Sequence, residues 1–351
     1  MKVYDFSDKK LLLIGDLSSN FIKIITALNK TYETKSKKQQ SFDFNDYVMV
    51  VCGNCGFTSN NIEQYQKMLK PLNDILREHN NVLAFVRGNH DNPKYFSTNK
   101  YELGFENIVF IEDYSVLKTI NDMTLCIGGA TSINRKWYIK ENARKKHLNP
   151  SSEDSVYWVD ESVKEQREIA SDLKESGLTI NSIISHTCPL HFLNVEYQTK
   201  YSTSDWLKND ASLKTDLEAE WSILDNMLES LSKENTIEWW GCSHYRLGDV
   251  SKVHLSNGKT CNLNLLASFR ADNFRQTRKT IDSGFLKIHS KTEVNSDEDI
   301  WGKLSRACRP TSNSFYGGFG RSLINITEPI ELEPARINTL ELEDELLEWP
   351  N

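Results

Sequence analysis

The chain has 351 residues, 38% hydrophobic and 26% charged, with a formal net charge of −7. The length suits one large domain or two ordinary ones. The negative balance argues against general nucleic-acid binding through the phosphate backbone, and no run is long and apolar enough to span a bilayer. Lys2, Asp5 and Asp8 interrupt the start, so no secretory leader is expected. Seven cysteines, an odd number without the spacing of a small disulfide framework, point to a cytoplasmic setting.

Residues 11–14 form a short apolar run, read as a buried strand ending in Gly15-Asp16-Leu17-Ser18. Residues 21–28 are expected to be helical, followed by a charged and polar loop to Asn45. Residues 47–52 are a second buried strand, ending in Gly53-Asn54-Cys55-Gly56. Cys52 and Cys55 make a C-x-x-C. The loop-like residues after it do not supply the helix a redox pair needs, so the expectation is one buried strand cysteine and one loop cysteine. Residues 62–78 carry Tyr65, Met68, Leu69, Leu72, Ile75 and Leu76 near helical spacing. Residues 82–86 are a third buried strand. It runs into Gly88-Asn89-His90-Asp91 and stops at Pro93.

Short strands are expected over 108–112, 114–120 and 123–127, the last two joined by Asn121-Asp122. Between Ala130 and Val159 the pattern is irregular, and a helix is expected over 162–176. Residues 182–185 form a strand ending in His186-Thr187-Cys188-Pro189. A helix over 213–231 puts Leu213, Leu217, Trp221, Leu224, Leu228 and Leu231 on one face. Residues 236–240 form a strand ending in Gly241-Cys242-Ser243-His244. Asn257-Gly258, between residues 253–255 and 261–263, is a strong hairpin signal. The expected organisation is a domain over 1–290 and a polar extension over 291–351, docked or partly mobile. Its acidic end, with Leu340, Leu342, Leu346, Leu347 and Trp349, offers a contact for a protein partner.

Five apolar strands thus each end in a loop of Gly, His, Asn or Asp. Sites in layered α/β folds gather at the carboxyl ends of strands. One such loop is an ordinary turn; five in order, each offering a metal ligand, form a pattern. It resembles the calcineurin-like metallophosphoesterases, whose motifs GD-x-H, GD, GNH(D/E), a lone His and G-H-x-H each follow a strand. The resemblance runs from about Leu11 to about Phe269. It includes Gly128-Gly129-Ala130, Tyr157-Trp158 with Glu161, and the segment SHTCPL at 185–190.

The resemblance implies an α/β fold, a four-layer α/β/β/α sandwich of two mixed sheets. It implies one or two divalent ions (Mn, Zn or Fe) held by Asp16, Asn54, Asn89, His186, Cys242 and His244. It also implies hydrolysis of a phosphoester, small or nucleotide-like, by a metal-activated hydroxide, with His90 as general acid and Asp91 orienting its ring. Arg87, Arg135 and Arg246 are candidates for binding the substrate phosphate. Three positions depart from the pattern: Ser18 stands in place of His, Asn54 in place of the bridging Asp, and Cys242 in place of the first His of the last motif. Asn54 matters most, because a neutral amide cannot offset the repulsion between two cations as a carboxylate does. The sequence therefore supports a weakened hydrolase, with an inactive phosphoester-binding or protein-interaction module as the alternative.

Overall fold

A computed structural model describes residues 1–17, 45–97, 102–151, 154–193, 205–245, 249–255 and 257–266, together with the backbone of 285–287. The chain divides into two units, Met1–Arg309 and Pro310–Asn351, and every element described belongs to the first. The expected helix over 21–28, the loop after it and the extension over 291–351 lie outside the described residues.

Strands β2 (Lys10–Ile14), β3 (Tyr47–Cys52) and β4 (Val82–Val86) are nearly unbroken apolar runs, buried on both faces. That is the signature of central parallel strands. They pair in parallel with one another, and β4 pairs in parallel with β5 (Ile108–Phe110). Alternate side chains go to opposite faces. Leu12, Ile14, Met49, Val51, Leu83 and Phe85 pack against Tyr65, Leu69, Leu72 and Leu76 of helix α1 (Ile62–Glu78). Leu11, Leu13, Val48, Val50, Ala84 and Val86 face the other way, toward Leu117, Cys126, Ile184 and Trp239 of a second sheet.

The second sheet is built from β1 (Val3–Asp5), β6 (Ser115–Lys118), β7 (Met123–Ile127), β8 (Ser182–Ser185), β9 (Trp239–Cys242), β10 (Asp249–His254) and β11 (Thr260–Leu265). Its order is β1-β6-β7-β8-β9-β11-β10, with β6–β7 and β10–β11 antiparallel. The first sheet has the order β12-β2-β3-β4-β5, with β12 (Phe285–Lys287) antiparallel to β2. Both sheets are therefore mixed. The outer face of the seven-stranded sheet is covered by α3 (Ile169–Glu175) and α5 (Leu213–Glu234). Ile169, Leu173, Leu224, Leu228 and Leu231 pack there on Leu125, Ile127, Ile183 and Trp240. The layers run α/β/β/α, as expected. Among the described residues no helix is long and apolar enough to cross a membrane.

Three expectations need correction. The stretch read as irregular contains helix α2 (Arg135–Leu148), which buries none of its residues and so carries no apolar stripe to announce it. The helix expected over 162–176 begins only at Ile169. Ahead of it, the carbonyls of Asp160, Glu161 and Ser162 accept from the Arg87 guanidinium and the Val163 N–H donates to Glu220, so this backbone is held by tertiary partners. The last motif strand is Trp239–Cys242, not 236–240. A short helix α4 (Asp205–Asn209) precedes α5.

Glu220 projects from α5 into the layer boundary, where it accepts from the Thr131 hydroxyl at 2.9 Å and the Val163 N–H at 3.3 Å. Burial pushes its pKa from 4.5 up to about 7, although both donors pull it down. The folded state thus holds a proton that the unfolded chain releases above pH 4.5. The associated stability is full below about 4.5 and is lost as pH rises through about 7. Glu220→Gln is expected to flatten the fall of unfolding free energy between pH 5 and 8, a change on the order of 2–4 kcal/mol, measured by urea titrations across that range. An unchanged slope would assign the dependence to other groups.

Candidate metal and phosphoester site

The carboxyl ends of β2, β3 and β4 in one sheet and of β8 and β9 in the other deliver Asp16, Asn54, Asn89-His90-Asp91, His186 and His244 to one edge of the sandwich. Two glycines make this convergence possible. Gly53 has φ +89°, and a Cβ there would lie 2.1 Å from Nδ1 of His186, so the imidazole lies directly on the backbone after β3. A Cβ on Gly88 would lie 2.0 Å from the Asn54 nitrogen. Asn54 and His244 themselves have positive φ, 50° and 66°. Such backbone costs about 1–3 kcal/mol at a non-glycine residue and tends to gather where a site is held in shape.

Asp91 is wholly buried. Its carboxylate accepts the backbone N–H groups of Gly88 (2.8 Å), Cys55 (3.0 Å), Gly56 (2.9 Å) and Phe57 (3.3 Å). This corrects the expectation that Asp91 orients the His90 ring: its oxygens are engaged by main chain, locking the loops after β3 and β4 together. The ring is held instead by the Val156 carbonyl, 3.1 Å from Nδ1, and by Tyr138, whose ring centroid is 4.4 Å away. Desolvation lowers the His90 pKa, so the resting ring is neutral with its hydrogen on Nδ1.

Asn54 donates from Nδ2 to Asp16 Oδ2 at 2.8 Å and accepts from the His90 N–H at 3.1 Å. His186 is fully buried, and burial lowers its pKa, partly offset by the negative charge of Asp16. Its Nδ1 donates to the Cys52 carbonyl at 2.7 Å. In the neutral ring Nε2 then carries a lone pair, and this atom lies 2.9 Å from Asn89 Oδ1 and 3.3 Å from His244 Nδ1. In that tautomer two lone pairs, on Nε2 and Oδ1, face each other at 2.9 Å, an arrangement that a shared cation would relieve.

Whether these residues fit the divalent ions follows from the donor set. Among the described residues no three His, Cys, Asp or Glu side chains form a metal-binding group. Two amides, Asn54 and Asn89, occupy positions in the cluster, and Asn54 turns its NH2 toward the carboxylate. One cation fits beside Asn89, His186 and His244, with Asp16 as the nearby negative charge. A pair of ions bridged at Asn54 does not fit.

Three further site expectations, at Cys242, Arg87 and Arg135, need a different account. Cys242 points into the apolar cluster behind the seven-stranded sheet, and its thiol pKa is pushed up by burial and by Cys188 beside it. It is not placed as a ligand. Alternation along the strand end turns the next residue, Ser243, toward the site, where its hydroxyl donates to the Cys52 carbonyl at 2.6 Å. Arg87 is 1% exposed and paired with Asp113 at 2.8 Å. Arg135 is paired with Asp210 (2.7 Å) and Asp216 (2.6 Å). Neither guanidinium is available to a phosphate without breaking these pairs. Ser18 and Arg246 lie outside the described residues.

The reading of the sequence missed Ser132, which touches Asn89, and the role of Glu161, which touches Ser132. Both follow strand-end or loop motifs already noted, but nothing in their local sequence specifies those contacts.

A family description for calcineurin-like phosphoesterases matches residues 9–211, more than half of the chain. No curated protein matches it. Among solved structures, a dimetal phosphatase from Danio rerio is 12% identical, covering 75% of this chain and 88% of its own, with a TM-score of 0.34. A cold-active protein-tyrosine phosphatase of a psychrophilic Shewanella is 13% identical, covering 75% and 73%, with a TM-score of 0.27.

Removing the guanidinium of Arg87 leaves Asp113 and three carbonyls without their partner. Arg87→Ala is therefore expected to lower unfolding free energy by about 3 kcal/mol in urea titrations. A fully stable variant with altered phosphate binding would return Arg87 to the role of a substrate contact.

Proposed function

Since the chain belongs to the calcineurin-like phosphoesterase family, we propose that it is a metal-dependent phosphoester hydrolase that works with one firmly held divalent ion. The observation that carries this reading is the pair of facing lone pairs on Asn89 Oδ1 and His186 Nε2, 2.9 Å apart, with His186 Nδ1 fixed on the Cys52 carbonyl. Asn89, His186 and His244 would hold the ion, and Asp16 would balance its charge. Such an ion supplies Lewis acidity to a phosphoryl oxygen and eases ionisation of water.

The chain's own contribution is positional and acid–base. Asp91 fixes the two loops, and the Asn54 carbonyl oxygen holds the His90 backbone. His90 carries its resting hydrogen at Nδ1, so Nε2 is the atom that gains and delivers a proton to the leaving oxygen. An anionic phosphoester beside the ring raises its pKa and offsets the effect of desolvation. Manganese, zinc and iron all suit a site of imidazole and oxygen donors.

A second reading, a phosphoester-binding module without turnover, is favoured by one observation. The Asn54 amide satisfies Asp16 by a hydrogen bond in the way a cation otherwise would. Metal content and turnover separate the two readings. The expected result is close to one equivalent of metal by mass spectrometry after manganese loading, with hydrolysis of a generic phosphodiester or phosphomonoester. No bound metal and no hydrolysis would favour the binding module.

Asn54→Asp sets two carboxylates against each other where an amide now donates. The variant is expected to have a lower Tm without metal, a Tm that rises steeply with manganese, a higher metal content and a faster rate. Metal content unchanged at saturating manganese would refute the electrostatic account. His90→Ala is expected to lower kcat by about 10²–10⁴-fold while metal content stays constant. Loss of metal along with activity would make His90 a ligand instead.

A further inference from the structure

Behind Asn89 runs a line of buried polar groups that the proposed chemistry does not use. Ser132 Oγ lies 2.6 Å from Asn89 Nδ2 and 2.7 Å from Glu161 Oε2, and the Ser132 backbone N–H donates to Glu161 Oε1 at 2.9 Å. Ser132 is 1% exposed and Glu161 2%, so bulk water does not compete for these partners.

A hydroxyl has one hydrogen to give. While the Glu161 carboxylate takes it, Ser132 Oγ can only accept from Asn89. The Asn89 amide must then turn its NH2 toward Ser132 and its oxygen toward His186. If the group at 161 donates to Ser132 Oγ, the hydroxyl hydrogen turns onto Asn89. The amide reverses, and its NH2 caps the lone pair of His186 Nε2.

We propose that Glu161 is a positioning residue that, acting through Ser132, aims the carbonyl oxygen of Asn89 at His186 and so makes Asn89 a cation ligand. This rests on the reading of Asn89 and His186 as cation ligands given above.

Glu161 acts in this way when ionised. Burial pushes its pKa up to about 8, with Glu220 adding to the rise and the two Ser132 donors and Arg135 opposing it; Tyr157 also faces it, and the Arg87 guanidinium donates to its backbone carbonyl at 3.0 Å. Cation uptake near neutral pH therefore releases a proton from Glu161, and affinity rises with pH through its ionisation. A glutamine at this position imitates the protonated acid: its oxygen accepts the Ser132 N–H and its NH2 donates to Oγ.

The test is manganese binding by calorimetry on the full chain at pH 8.5, with Tm measured for each variant. Glu161→Gln is expected to weaken binding about 10–100-fold, the usual scale for a partner of a metal ligand, and to flatten the rise of affinity between pH 7 and 8.5. Ser132→Ala leaves only the longer, 3.3 Å contact of Nδ2 with His90 Nε2 to orient the amide and is expected to weaken binding about three- to tenfold. The double variant returns to the Ser132→Ala value, because a reversed signal no longer reaches Asn89. A structural role alone would make the double variant at least as weak as Glu161→Gln, and that result overturns the proposal. So does wild-type affinity in Glu161→Gln. Ser132→Ala also decides by itself: a folded variant with unchanged affinity overturns the proposal whatever Glu161→Gln does. Absence of manganese binding by the wild-type chain would overturn the ligand reading and this proposal with it.

Discussion

Four backbone N–H groups meeting one buried carboxylate hold the site in place. A carboxyl group in the interior is costly unless its lone pairs are satisfied, and the oxygens of Asp91 accept four main-chain N–H groups. Those N–H groups come from two loops, after β3 and after β4. Asn54 rides on the first, and Asn89 and His90 on the second. Fixing the loops to a common anion makes them one body. The bare backbone of Gly53 then lets the His186 imidazole, from the other sheet, lie against it. The site is thus a joint between sheets, and its geometry is inherited from a contact that touches no ligand.

Within that joint, the substitution of an amide for a carboxylate changes what the site can hold. Two divalent ions about 3.7 Å apart repel by roughly 18 kcal/mol at an effective dielectric of about 20. A carboxylate between them offsets much of this, and Asn54 does not. In exchange the amide joins Asp16 on one side and the His90 backbone on the other. The same bonds hold Asn54 in its left-handed backbone conformation. Cys242 loses its place for a different reason: its position in the strand directs it into the apolar layer. A thiol raised in pKa by burial stays protonated, which removes the thiolate that a metal would take.

Much of the fold was legible because it is governed by periodicity. The runs at β3, β4 and β8 and the helix α1 are bounded in the sequence as they are in the structure, and β2 begins one residue earlier, since each is set by local burial pattern. Helix α2 was illegible for the converse reason: it buries nothing, so no apolar pattern marks it. The convergence of Asp16, Asn54, Asn89 and His186 could be anticipated from strand-end motifs. What Asp91, Arg87 and Arg135 do could not. A carboxylate on a nest of N–H groups and a guanidinium in a buried pair are products of tertiary contact, and their neighbours in sequence are silent about it. Ser132 escaped for the same reason.

The buried acids tie the stability of the fold to the state of the site. Glu220 and Glu161 both favour their neutral forms in the folded chain, so the fold is better served when they keep their protons. The orientation of Asn89 proposed to present its oxygen to a cation would need the opposite at Glu161, namely a carboxylate able to accept from Ser132. The two demands meet near neutral pH, where neither is fully satisfied. On the proposed reading, a cation bound by the aligned amide and His186 would shift the balance by mass action toward the ionised acid, and its binding free energy would add to the stability of the state that the acid alone would weaken. On the proposed roles of Asn89 and Glu161, cation binding at the site would draw a proton from Glu161 and so couple metal affinity to the stability of the core behind it.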